Sequence, residues 1–151
     1  QRFNIDLKSK EPEIVDVFID TIRKHKAENR VCGASFHLSN LKALRAKAPD
    51  ILTSITTLEV IPLLLKQKLH ILPKSFKRKI IFQIPKEQWG IKVVTPDFVK
   101  QMKKRDAIIM VWTINDEKTM RELFSMGVDS VMTDDPELVI KVAKEMNIRE
   151  K

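Results

Sequence analysis

The sequence predicts an α/β fold in which parallel strands alternate with helices, either as a doubly wound sheet or as part of a (β/α)8 barrel. Three observations carry that prediction. Apolar runs of strand length alternate with amphipathic helical stretches along the chain, joined by short connections. Residues 107–136 read as one strand–helix–strand unit, and about 30 residues is the span of a βαβ crossover. The chain has only three glycines and no glycine-rich phosphate loop, which turns the choice from a nucleotide-binding sheet toward the barrel.

The elements follow in order. Phe3 to Lys8 alternates as a strand does, with Asn4, Asp6 and Lys8 on one face and Phe3, Ile5 and Leu7 on the other. Glu11-Pro12-Glu13 opens a helix, with proline in the first turn and acids at its positive end. Ile14, Val17, Phe18 and Ile22 are its expected buried face. Val31 to Phe36 is a strand. Ser39 or Asn40 is placed to cap a helix carrying Leu41, Leu44 and Arg45, which must end before Pro49. Ile51 to Thr57 reads as a strand, Glu59 to Lys68 as a helix that tolerates Pro62, and Lys79 to Ile84 as another strand. Thr95-Pro96-Asp97 starts a helix with Phe98, Val99 and Met102 inside. Ala107 to Ile114 is a strand running into a polar corner, Thr113-Ile114-Asn115-Asp116. The next helix turns Met120, Leu123 and Phe124 to one face, and Gly127 stops it. Val128 to Thr133 is the last strand. Asp135-Pro136-Glu137 opens the last helix, with Leu138, Val139, Val142 and Met146 inside. Residues 85–94 are the strongest linker candidate and too short to separate domains, so residues 1–151 read as a single domain.

With 151 residues, 43% of them hydrophobic and 32% charged, the chain can bury one core. No apolar run approaches the ~20 residues of a membrane-spanning helix. Gln1-Arg2-Phe3-Asn4 lacks the form of a signal peptide and leads straight into a strand pattern. The single Cys32 excludes an intrachain disulfide and is expected to be a small core residue; it does not fix the compartment.

The net charge of +8 points to an anionic partner, and the excess is local. Residues 60–86 contain no acid but include Lys66, Lys68, Lys74, Lys77, Arg78, Lys79 and Lys86, interleaved with leucines, isoleucines and Phe76. Such a mixture suits contact with an anionic membrane surface. The simpler expectation is a solvated basic face over a core-facing apolar stripe. With only two aromatics in the segment, Phe76 and Phe82, and no recognition motif in the chain, nucleic acid is not an expected partner.

Strands of a covered parallel sheet are nearly all apolar, and the first strand departs from that. In a barrel, Asn4, Asp6 and Lys8 face the lumen, with Asp6 and Lys8 near its carboxyl-terminal mouth. A carboxylate and an ammonium two residues apart suit a site that holds a divalent cation against an anionic oxygen. The alternative is an edge strand with its polar side in water. Trp112 stands beside the polar corner. His25 and His70 read as surface residues, while His37, after Ser35-Phe36 at a strand end, is placed to face a pocket. Ser35 lacks the glycine elbow and histidine partner of a serine hydrolase. Asp135 reads as the cap before Pro136.

Together these stretches resemble the glycerophosphodiester phosphodiesterase family. V-W-T-I-N at 111–115 and G-V-D-S-V-M-T-D-D-P at 127–136 look like its C-terminal signature. F-N-I-D-L-K at 3–8 is similar to its mid-chain strand, A-S-F at 34–36 to its Ser-Phe strand end. F-Q-I-P at 82–85 and G-I-K-V-V-T-P-D-F-V at 90–99 look like the branch with lysophospholipid-cleaving members. Asp135 and Ser130 differ from the residues usual at those positions.

The resemblance implies the C-terminal portion of a TIM-type (β/α)8 barrel that cleaves glycerophosphodiesters or lysophospholipids with a divalent metal, Mg²⁺ or Ca²⁺. Asp6 would be a metal ligand and Lys8 a phosphate contact, while Phe36 and Trp112 would line the substrate pocket. The family's His-Arg-Gly strand, Pro-Glu-Asn stretch, Glu-x-Asp pair and His-Asp pair do not occur here. Its acid/base histidines are therefore expected upstream, in an N-terminal barrel portion supplied in cis or in trans. The alternative is a non-catalytic lipid- or protein-binding module derived from the same fold.

Overall fold

The computed structural model describes residues 1–88 and 90–148. The chain's contacts form two compact units, Gln1–His70 and Ile71–Lys151.

In the first unit, β1 (Phe3–Asp6), β2 (Val31–Ala34) and β3 (Leu52–Thr53) form a parallel sheet in the order β1-β2-β3. Helices α1 (Glu13–Lys24), α2 (Leu38–Lys47) and α3 (Thr57–Lys68) follow the strands in turn. Glu13 and Asp16 in the first turn of α1 and Arg23 and Lys24 in the last complement its dipole. Its buried face is Val15, Phe18, Ile19 and Ile22, the i, i+3, i+4, i+7 set. The expected face needs correcting: Val17 is 60% exposed, because it lies about a quarter turn beyond Phe18, while Ile14 packs at the margin of the core. Leu44, Ala48 and Ile51 complete this core with Leu7 and Val31. Gly33 lets α2 close on the sheet: a Cβ there would stand 2.6 Å from Leu44 Cδ2.

Helix α3 runs through Pro62, whose missing N–H falls in the second turn. Arg45 ties α2 to the start of α3. Its guanidinium donates to Glu59 at 2.8 and 3.1 Å, to the Thr53 hydroxyl at 2.9 Å and to the Ser54 carbonyl at 2.7 Å. Glu59 also accepts the Thr56 N–H at 3.0 Å.

In the second unit, β4 (Ile81–Pro85), β7 (Ile108–Trp112) and β8 (Ser130–Val131) form a parallel sheet in the order β4-β7-β8. Between β4 and β7 come an antiparallel pair, β5 (Glu87–Gln88) and β6 (Ile91–Lys92), and helix α4 (Pro96–Lys103). The candidate linker at 85–94 thus holds a small hairpin rather than an open connection. Helices α5 (Glu117–Met126) and α6 (Pro136–Glu145) follow β7 and β8. Thr95 caps α4, and Phe98, Val99 and Met102 are buried as expected; Phe98 meets Phe82 edge to face at 5.3 Å. Gly127 closes α5 with φ +94°, a left-handed geometry suited to glycine. Of the expected α6 core only Val142 is fully buried. Asp129 braces the amino end of β7, accepting from Lys103 at 2.7 Å and from the Ile109 N–H at 2.9 Å.

Candidate functional site

Asp6 ends β1 opposite Ala34 and is half-buried. The ladder runs one step further, with Leu7 N–H donating to the Ala34 carbonyl at 2.7 Å. Past that point side chains take over. The Ser35 hydroxyl donates to the Leu7 carbonyl at 2.7 Å and accepts the His37 N–H at 3.1 Å. His37 Nε2 lies 3.2 Å from the Lys8 carbonyl, the geometry of the tautomer protonated there. Asn40 Nδ2 donates to the Ser9 carbonyl at 2.8 Å and to Ser35 Oγ at 3.3 Å. Three successive carbonyls, of Leu7, Lys8 and Ser9, are thus held by side chains of the segment after β2 and of the first turn of α2. Ser35 and Asn40 are 6% and 2% exposed, so little water competes for these bonds. The backbone at Lys8 is fixed while its ammonium side chain is exposed. Phe36, between Ser35 and His37, is 69% exposed, an apolar ring presented beside that strand end.

This arrangement corrects one expectation and defines another. Neither Ser39 nor Asn40 caps α2, whose first turn is preceded by His37 without a side-chain cap. Asn40 is buried because it shares a helix face with Leu41 and Leu44, and a buried amide needs partners. That placement, a polar residue on an apolar face, was the available sign of its role. Ser35 is occupied as a positioning donor rather than as a nucleophile. His25 and His70 are exposed, as expected. Cys32 is buried, as expected, and burial pushes its thiol up to about 11, far from a reactive thiolate.

In the second unit, Trp112 ends β7 opposite Pro85, half-buried, and its peptide bond to Thr113 is cis. The polar corner beyond it is committed to structure. Asn115 Oδ1 accepts from the Thr133 hydroxyl and the Asp134 N–H, and its Nδ2 donates to Asp134, all at 2.9 Å. Asp116 caps α5 through the Thr119 N–H at 2.8 Å, and that bond holds its carboxyl below the usual range. Asp135 caps α6 at 2.9 Å from the Leu138 N–H, as expected. Lys86, just past β4, donates to Thr119 and Glu122 at 3.2 and 3.3 Å.

The site residues divide between the units. Asp6, Lys8 and Phe36 stand at adjacent strand ends in the first, and Trp112 stands at a strand end in the second. Among the described residues no group of three or more His, Cys, Asp or Glu side chains converges as metal ligands would. Asp6 alone does not make a divalent-cation site, so these residues fit such a metal only as one donor in a larger set.

The sequence profile of the Glycerophosphoryl diester phosphodiesterase family matches residues 3–138. The chain belongs to this family. A curated relative, the glycerophosphodiester phosphodiesterase of Bacillus altitudinis, is 26% identical over 150 residues, covering 95% of this chain and 56% of the relative. The chain spans about half the length of the curated relatives it matches. Among solved structures, a glycerophosphodiester phosphodiesterase from Parabacteroides distasonis aligns with a TM-score of 0.68 at 22% identity, over 97% of this chain and 58% of that one. An Oleispira antarctica phosphodiesterase, solved with the product sn-glycerol-3-phosphate, aligns with a TM-score of 0.68 at 20% identity, over 95% and 55%. These likenesses bear out the expected fold, parallel strands alternating with helices as part of a (β/α)8 barrel.

Proposed function

We propose that, within a complete barrel, this chain takes part in hydrolysis of glycerophosphodiesters, with lysophospholipids as a second substrate class. The observation that carries the reading is the family match over residues 3–138. The product seen in the Oleispira relative supports glycerol 3-phosphate as the released group. In this reading Lys8 sets its ammonium against a non-bridging phosphoryl oxygen and stabilises charge that grows there during the reaction. Ser35, His37 and Asn40 hold the backbone that aims it. Phe36, exposed beside the end of β1, covers an apolar part of the substrate, and the family resemblance gives Trp112 a pocket-lining role of its own. Asp6 supplies one carboxylate to a Mg²⁺ or Ca²⁺ site completed from outside these residues; such a metal neutralises phosphoryl charge. Proton transfer falls to histidines that the resemblance places in the remainder of the barrel.

A barrel portion beyond these residues is supported by the exposed side of β1. Among the described residues β1 pairs with β2 alone, and Phe3 and Ile5 are 45% and 38% exposed where the sequence pattern expects a covered face. Contact of residues 60–86 with a lipid surface belongs to the same proposal, since it would bring lysophospholipid to the site.

The test is hydrolysis of glycerophosphocholine and lysophosphatidylcholine by the full-length protein, before and after chelation. Cleavage that chelator abolishes and Mg²⁺ or Ca²⁺ restores is expected. Cleavage indifferent to chelator overturns the metal assignment. Failure to cleave either compound overturns the catalytic reading and leaves the binding module.

A further inference from the structure

Helix α3 carries two apolar stripes. Val60, Leu63 and Leu64, at i, i+3 and i+4, form the inward one, with the polar Gln67 at i+7 closing that side: Val60 is 5% exposed and the others half-buried. Leu58, Ile61, Leu65 and Leu69, the last just past the helix end, form the other, and they are 66%, 43%, 57% and 66% exposed. At 3.6 residues per turn the two stripes lie roughly 150° apart. The solvated basic face expected from the sequence is therefore not what α3 presents. Its outward side is apolar, with Lys66 and Lys68 flanking it. The chain that leaves the helix keeps the same sign, with Lys74, Lys77, Arg78 and Lys79 and no acid before Glu87.

We infer that the outward face of α3 docks on the anionic surface of a lipid bilayer. Leu58, Ile61, Leu65 and Leu69 enter the headgroup boundary, and the flanking lysines meet lipid phosphates. An apolar stripe rimmed by cations on a short helix is the composition of an interfacial element. The charge selects the occupant: a second copy of this chain would bring the same cations face to face, whereas an anionic leaflet complements them. The inference rests on the lipid-surface part of the proposed function and does not require hydrolysis.

The experiment is co-sedimentation of the full-length protein with vesicles of phosphatidylcholine, alone or mixed with phosphatidylserine. Wild type is expected to sediment with the mixed vesicles, less as salt rises. The variants Ile61→Asp/Leu65→Asp and Lys66→Glu/Lys68→Glu are expected to bind at least about tenfold more weakly. Both should keep the wild-type melting temperature and cleave water-soluble glycerophosphocholine at the wild-type rate, which separates loss of docking from loss of fold or of catalysis. The inference is overturned if wild type stays in the supernatant with mixed vesicles, or if Ile61→Asp/Leu65→Asp sediments as wild type does. Equal binding to both vesicle types overturns the anionic assignment. A dimer that Ile61→Asp/Leu65→Asp dissolves, seen without vesicle binding, overturns it in favour of self-association.

Discussion

At the carboxyl end of β1, three successive carbonyls are held by side chains of which two, Ser35 and Asn40, are buried; at the end of β7, one exposed asparagine, Asn115, gathers an exposed loop. Both devices tie a strand end to the segment after a neighbouring strand. They differ in what competes with them. Water reaches Asn115 and Asp134, so those bonds replace solvent bonds of similar quality. At Ser35 and Asn40 the only alternative is an unmet donor or acceptor. The first corner is thus a rigid mount for Lys8, and the second shapes a loop and two helix starts.

The comparison can be broken by substitution. Asn40→Ala strips partners from the Ser9 carbonyl and the Ser35 hydroxyl, and should lower stability by about 2 kcal/mol in denaturant titration, with Ser35→Ala next at about 1.5 kcal/mol. Both should also lower kcat/KM in the complete protein, since Lys8 loses its mount. Asn115→Ala should cost only about 0.5 kcal/mol. Equal losses from Asn40→Ala and Asn115→Ala would erase the distinction.

The smallest expected effect concerns pH. The Thr119 N–H lowers the folded-state pKa of Asp116 below its ordinary value of 3.8. Its contribution is therefore complete above the unfolded value and lost as pH falls through the folded one. The melting difference between wild type and Asp116→Ala should hold at neutral pH and close below about pH 4. A difference that persists undiminished in acid would contradict the cap.

What could be read in advance follows from how far each signal reaches. Thr95-Pro96, Asp135-Pro136 and Gly127 act within a turn of themselves, and each was placed correctly from sequence, whereas Asp116 was legible only as part of a polar corner. The three- and four-residue spacing of Met120, Leu123 and Phe124 is equally local. Asn40 misled because its bonds run to residues 31 to 33 positions away, and only the fold brings them together. The brief strands β3 and β8 were overestimated, since buried apolar flanks such as Ile51 and Val128 extend the pattern beyond the paired residues. The outward stripe of α3 was present in the sequence, but leucines crowd both sides of that helix, and spacing alone did not say which side is covered. Asp6 and Lys8 stood out because a charged pair departs from the nearly all-apolar strands of a covered parallel sheet, whereas β1 here is exposed along its length up to Asp6.

The central claim is that the carboxyl end of β1 carries chemistry, and Asp6→Ala in the full-length protein tests it most directly. With the circular dichroism spectrum of the folded protein retained, kcat/KM for glycerophosphocholine should fall by at least ~100-fold. A variant that cleaves glycerophosphocholine at the wild-type rate would contradict the claim.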